Sequence, residues 1–328
     1  MNQYAQKIHQ LIQKKPDERI AYLGDETTRE LINALAEQED GNILWLDADQ
    51  RPLITLPEEL KKELAEIDVL IYAITKQYGD ERAFRDELNT YIEERGGRVG
   101  NLLDATQEVL ASAFTGDIRE IIDRTEHVYE KMQQQKQVLL SSPAGTHALI
   151  RFDTNKYSWL ASTGVIQRAK TRNLLPAEVY TYPASVDGTI VIDGAYAPLA
   201  SHPQKEELLE QLKGTPIYWI VREGVIQEIR CADPELLRIA RKAIQVDENA
   251  ARIGEFGMGT NTGIKTFLGH VMHDEKYPGV HIAHGHGYPK QTGAPYTSTQ
   301  HADGILRKPS VQLLDGTYII KKGAYQIS

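Results

Sequence analysis

A single cysteine, Cys231, is all the thiol chemistry that the 328 residues contain. One thiol cannot close an intramolecular disulfide, so packing must hold the fold and a reducing compartment is expected. The surrounding EIRCADPE offers no base, so Cys231 is read as a packing thiol and not a nucleophile. Positive charge is also scarce: 37 Lys and Arg stand against 46 Asp and Glu, a formal charge of −9. A nucleic-acid partner is not expected, because phosphate backbones select basic faces. Long apolar runs are missing as well; none approaches the roughly 20 residues that cross a bilayer. The opening MNQYAQKIHQLIQKK lacks the apolar centre of a secretory signal. Together these absences lead to the expectation of a soluble, cytoplasmic protein with no membrane partner. Neither G-x-G-x-x-G nor G-x-x-x-x-G-K-[ST] occurs, and YLGDETTRE around Gly24 has only one glycine, so nucleotide binding is not expected there.

What is present suits a globular protein. A hydrophobic content of 41% is enough for two modest cores. RIAYLG (19–24), NILWLDA (42–48), DVLIYAI (68–74) and GRVGNLL (97–103) read as short buried strands. Helical patterns separate them, at about 27–39, 57–67 and 78–94, with two more from 104 and from 117 to about 137. That alternation predicts βαβ units around a parallel, Rossmann-like sheet. From 138 the chain turns β-rich, with DG, EG and KG turn signals, interrupted by helices near 203–212 and 233–243. GTIVIDGAYAPL and GTYIIKKGAY look alike and read as short hairpins. The expected organisation is an α/β domain over residues 1–138 and an α+β domain over 139–328.

Histidine is distributed unevenly: six of the ten fall between His270 and His301. HIAHGHGYPKQTGAPYTSTQHAD (281–303) alone holds four, with two tyrosines and an aspartate. Such a run can be a metal site, a proton-handling site or an imidazole-rich loop. Candidate ligands lie in four places: Glu178 between two prolines, Glu255 in glycine-rich RIGEFGMGTN, His281 and Tyr288 in HDEKYPGVHIAHGHGYP, and TQHAD. His301 and Asp303, at i and i+2, project to one side of an extended segment. Converging carboxylates and imidazoles suit Zn²⁺, Mn²⁺, Co²⁺ or Fe²⁺, and two ions where a carboxylate bridges. His284 and His286 read as further members of a glycine-rich loop.

In order along 141–328, these segments resemble the aminopeptidase T and aminopeptidase S family of metallopeptidases. The likeness is carried by SSPAGTH, NLLPAEVYTYPASVDGTIVID, RIGEFGMGTN, HDEKYPGVHIAHGHGYP and QHADGILRKPSVQLLDG. The resemblance implies that Glu178, Glu255, His281, His301 and Asp303 ligate two divalent ions (Zn, Co or Mn), with Tyr288 at the metals or on the transition state. It also implies a metallo-aminopeptidase-like hydrolase that takes a small peptide or amide, and a homodimer. Asp274 and Glu275, just ahead of His281, are expected as proton shuttles or as supports of the ligands, Glu275 being the catalytic choice. The chain is expected to be shorter than the peptidases, chiefly ahead of the motifs. The alternative on the same scaffold is a ring-cleaving dioxygenase of the dihydroxypyridine type, with one Fe(II) on two histidines and one carboxylate. That family carries histidine where this chain has Glu255, so such a triad would need His281.

Overall fold

The structure, a computed structural model, describes residues 1–76, 78, 81–166 and 171–326. Helices and strands alternate at first: α1 (Asn2–Ile12), β1 (Ile20–Gly24), α2 (Arg29–Gln38), β2 (Asn42–Trp45), α3 (Glu58–Glu63) and β3 (Val69–Ala73). Then follow α4 (Glu81–Glu93), β4 (Arg98–Leu102), α5 (Gln107–Ala113) and α6 (Ile118–Met132). Strands dominate from there: β5 (Gln137–Ser141), β6 (His147–Arg151), β7 (Leu160–Ser162), β8 (Thr171–Asn173), β9 (Glu178–Thr181), β10 (Ser185–Ile192) and β11 (Ala195–Tyr196). The middle carries α7 (Ala197–Ala200), α8 (Lys205–Gly214), β12 (Ile217–Arg222), β13 (Val225–Arg230) and α9 (Pro234–Ala243). The last part runs β14 (Ile253–Gly259), α10 (Val271–Asp274), β15 (His281–Gly285), α11 (Pro289–Thr292), β16 (His301–Ile305), β17 (Ser310–Gln312), β18 (Tyr318–Lys321) and β19 (Ala324–Tyr325).

The chain divides into two compact units. The first is Met1–Glu120 with Gly164–Pro176; the second is Ile121–Thr163 with Ala177–Ser328. In the first, β2-β1-β3-β4-β8 form one sheet whose pairings are all parallel. β1, β3 and β4 are buried along their whole length, as parallel strands covered on both faces must be. Asp25 starts the turn ahead of α2: its side chain accepts from the Thr27 N–H, which satisfies a donor the helix start leaves unpaired. α2 then buries Leu31, Ile32 and Leu35.

This division differs from a single break at 138. Most of α6 belongs to the second unit, where Val128 and Met132 join the core around Trp219. Residues 164–176 return to the first unit to add β8 beside β4. Three residues are too few for a periodic signal, so β8 was not legible in the sequence.

The second unit has two antiparallel sheets. One has eight strands, β13-β12-β10-β6-β5-β17-β18-β19; the other has six, β11-β16-β15-β14-β9-β7. REGV closes the β12–β13 hairpin with Glu223 and Gly224 both at positive φ, the geometry that matches strand twist. GTIVIDGAYAPL is not the hairpin expected from its likeness to GTYIIKKGAY. β10 lies in the eight-stranded sheet, whereas β11 pairs with β16 in the six-stranded one. Gly194 permits the switch: a Cβ there would stand 2.7 Å from the Ile305 carbonyl oxygen, which instead accepts from the Gly194 N–H. α9 is capped by the Asp233 side chain, with Pro234 in its first turn, as the sequence implies. Cys231 is half-buried against the core, and burial raises its pKa. Among the described residues no helix is long and apolar enough to cross a membrane.

Candidate metal centre

Four neighbouring strands of the six-stranded sheet build the site. In register, Glu255 on β14 faces Ala283 on β15, which faces Asp303 on β16. One row along, Gly257 faces His281; further on, Gly259 faces Glu178 of β9, and Gly285 faces His301. Directly paired residues project to the same side of a sheet. The pairing therefore puts Glu178, Glu255, His281, His301 and Asp303 on one face, separated by Gly and Ala. Gly257 is required: a Cβ there would stand 1.8 Å from His281 Nε2, in the space the imidazole occupies.

Two overlapping groups of potential ligands result, Glu178–Glu255–His281 and Glu255–His301–Asp303, each with its ligand atoms within 4.8 Å of one another. Glu255 Oε1 lies 3.0 Å from His281 Nε2, and Oε2 lies 4.0 Å from His301 Nε2. His301 Nε2 is 3.4 Å from Asp303 Oδ2, and Glu178 Oε2 is 3.6 Å from His281 Nε2. His301 Nδ1 donates to the His286 carbonyl at 2.8 Å, which leaves Nε2 facing the carboxylates. All five residues are buried except His301, whose side chain is 15% exposed. Among the described residues, the buried atoms Asp303 Oδ1 and His281 Nδ1 have no hydrogen-bond partner. A buried carboxylate oxygen without a partner is costly. Three carboxylates and two imidazoles, mixed O and N donors with one carboxylate oxygen unspent, fit a divalent metal cation.

The electrostatics follow from this crowding. Burial opposes charge on the imidazoles, but the neighbouring carboxylates override it. Glu255, Asp303 and Glu178 lift His281 to about 9, and Asp303 and Glu255 lift His301 to about 10. Burial raises Glu255, with His281 and His301 opposing. For Asp303 burial acts upward, yet His301, His281 and Lys276 bring it well below the usual carboxylate range.

Around this set the other expected residues separate. Tyr288 adopts positive φ and presents its ring 4.8 Å from that of His301 and 5.2 Å from that of His286. Its phenol is raised well above the usual value, by burial first and then by Glu255, Asp303 and Glu275. Glu275 is buried, and burial pushes its carboxyl up to about 8 despite the neighbouring Lys276 ammonium. Asp274 is turned elsewhere: its oxygens accept from the Leu268 and Gly269 N–H groups at 2.8 and 2.9 Å and from His273 Nδ1 at 2.8 Å, which shapes the preceding loop. His284 is not a loop residue. It lies within β15 on the opposite face, between Tyr196 and Trp219. Nδ1 donates to the Ala250 carbonyl and Nε2 accepts from the Tyr196 hydroxyl, each at 2.7 Å, and burial lowers its pKa to about 4.

Sequence reasoning missed Lys276. Its ammonium, 1% exposed, donates to Glu178 Oε1 at 2.5 Å and also to Glu275 Oε1. The only signal was its place beside Glu275 in HDEKYP, and adjacency does not tell a solvated pair from a buried one.

No protein-family model matches the chain, and no curated protein matches it. Among solved structures it is similar to 2,5-dihydroxypyridine dioxygenase from Pseudomonas putida KT2440, with a TM-score of 0.71 and 15% identity over 100% of this chain and 98% of that one. It is similar also to wild-type AmpT, an aminopeptidase T from Thermus thermophilus, with a TM-score of 0.69 and 15% identity over 99% of each chain. That coverage gives no support to a missing block ahead of the motifs. At such identity the likeness is one of fold, and both neighbours with that fold are enzymes.

Proposed function

We propose that the protein is a metal-dependent, aminopeptidase-like hydrolase that removes an N-terminal residue, or cleaves an amide, from a small peptide at a centre where two cation sites share Glu255. The observation that carries this reading is the division of the Glu255 carboxylate, Oε1 toward His281 and Oε2 toward His301, each with its own further carboxylate. Divalent ions held by such donors polarise a carbonyl and lower the pKa of bound water. The chain's own contribution is orientation and proton handling. Tyr288, kept protonated beside His301, is assigned to donate to the oxygen on which charge develops. Glu275, enclosed beside Lys276, is assigned as the proton carrier. Half-buried Tyr180, whose ring lies 6.2 Å from that of Tyr288, adds an apolar wall. The same reading includes a cytoplasmic homodimer, and light scattering on the purified protein checks the dimer.

The second reading, one Fe(II) in a ring-cleaving dioxygenase, draws on the dihydroxypyridine dioxygenase neighbour. It needs His281, His301 and Asp303 on one ion. Among the described residues His281 groups instead with Glu178 and Glu255. Elemental analysis, combined with aminoacyl-anilide turnover before and after chelation, separates the two. Hydrolysis lost on chelation and restored by Zn²⁺, Co²⁺ or Mn²⁺ is the expected result, and Glu255→Ala should abolish it with the first unit still folded. One bound iron with oxygen consumption would replace the reading; absence of both metal and turnover would end it.

A further inference from the structure

The two halves of the centre are not equivalent, and the difference is Lys276. Glu178 holds one oxygen toward His281 and gives the other to the Lys276 ammonium at 2.5 Å. Glu275 takes a second hydrogen bond from the same ammonium. Among the described residues the ammonium bonds Glu178 and Glu275 and not Asp303, whose Oδ1 is buried and has no hydrogen-bond partner. Lys276 cannot easily withdraw. Its backbone carbonyl accepts from the Asn261 N–H and its N–H donates to His273, both at 3.0 Å, and the side chain is 1% exposed. Leaving would also strand Glu275 as a buried, unpaired carboxylate.

We propose that Lys276 is a built-in counter-cation that makes the two sites unequal. The Glu255–His301–Asp303 side takes the first divalent ion firmly. The Glu178–Glu255–His281 side takes a second weakly, because any cation there must share Glu178 with an ammonium in a pocket that water does not screen. This rests on the reading of the pocket as a metal centre and adds how many ions it retains.

The test is titration of the metal-stripped full-length protein with Zn²⁺ alone, followed by calorimetry and by elemental analysis after desalting. Wild type should retain one equivalent, with a second at least about tenfold weaker. Lys276→Met should retain two, Lys276→Arg should keep the wild-type pattern, and Asp303→Asn should lose the tight equivalent. Circular dichroism checks folding. If Lys276→Met does not fold, Lys276→Met/Glu275→Gln removes one charge of each sign and should likewise retain two. Two equally tight equivalents in wild type, no gain in a folded variant lacking Lys276, or a tight equivalent that survives Asp303→Asn overturns the proposal while leaving the metal-centre reading intact. No Zn²⁺ uptake by wild type overturns both.

Discussion

Each unit buries a cluster of charges, and the two clusters are finished differently. In the first unit, Arg51 lies between Asp25 and Glu81, and all three are nearly inaccessible. Its Nε and Nη2 reach the two Glu81 oxygens at 2.7 and 2.6 Å, Nη1 donates to Asp25, and Nη2 also donates to the Lys76 carbonyl. Backbone N–H groups of Tyr78 and Thr27 complete the carboxylates. Fork geometry of this kind uses up acceptors, leaving nothing for a ligand. In the second unit, carboxylates outnumber the one ammonium, and an Asp303 oxygen is left over. A buried cluster that its own side chains satisfy is structure; one that they leave short is a site.

Substitution should expose that difference most sharply. Arg51→Met leaves two buried carboxylates uncompensated and should cost about 3–5 kcal/mol, read as early unfolding of the first unit in denaturant. Glu255→Gln removes the carboxylate that both candidate ligand groups share and should lose metal uptake, yet cost the metal-free protein less stability than Arg51→Met, because the amide oxygen can still accept from His281. A large loss of stability there would erase the distinction. Next in size, a divalent ion at a hundredfold over its dissociation constant should stabilise the second unit by about 2.7 kcal/mol, seen as a higher melting temperature, and should leave the first unit unchanged. Gly257→Ala should displace the His281 ring at a cost of about 1–3 kcal/mol and weaken binding on the Glu178 side, measurable by calorimetry.

The smallest effect concerns the loop leading to His301. Burial would raise Asp247, but Thr299 and Ser298, through hydroxyl and backbone donors, hold it at about 2. Its folded pKa is below the unfolded value of roughly 3.9, so the stability it contributes is present above pH ~4 and lost as pH falls towards 2. Asp247→Asn should flatten the melting temperature against pH over that window; an unchanged slope would count against the assignment.

Local pattern carried much of this. The strand-helix alternation before residue 104 marked β1 to β4, because buried parallel strands are short apolar runs whatever they pair with. The i, i+2 spacing put His301 and Asp303 on one face of an extended segment, where β16 now holds them. His284 in HIAHG was harder: a single strand shows that it faces away from His281, but not whether that side is solvent or core. Asp274 and Glu275 were indistinguishable as neighbours, yet one shapes a loop through backbone N–H groups and the other joins the buried cluster.

By itself the sequence determined which side chains alternate on each strand and which residue types were available to hold a cation. Only the tertiary structure decided that Glu178, Glu255, His281 and the His301–Asp303 pair meet, and that Lys276 leans on one of them. Strand register across β9, β14, β15 and β16 sets those distances, and register comes from hydrogen bonds between segments up to 81 positions apart in the chain, from Glu178 to Gly259.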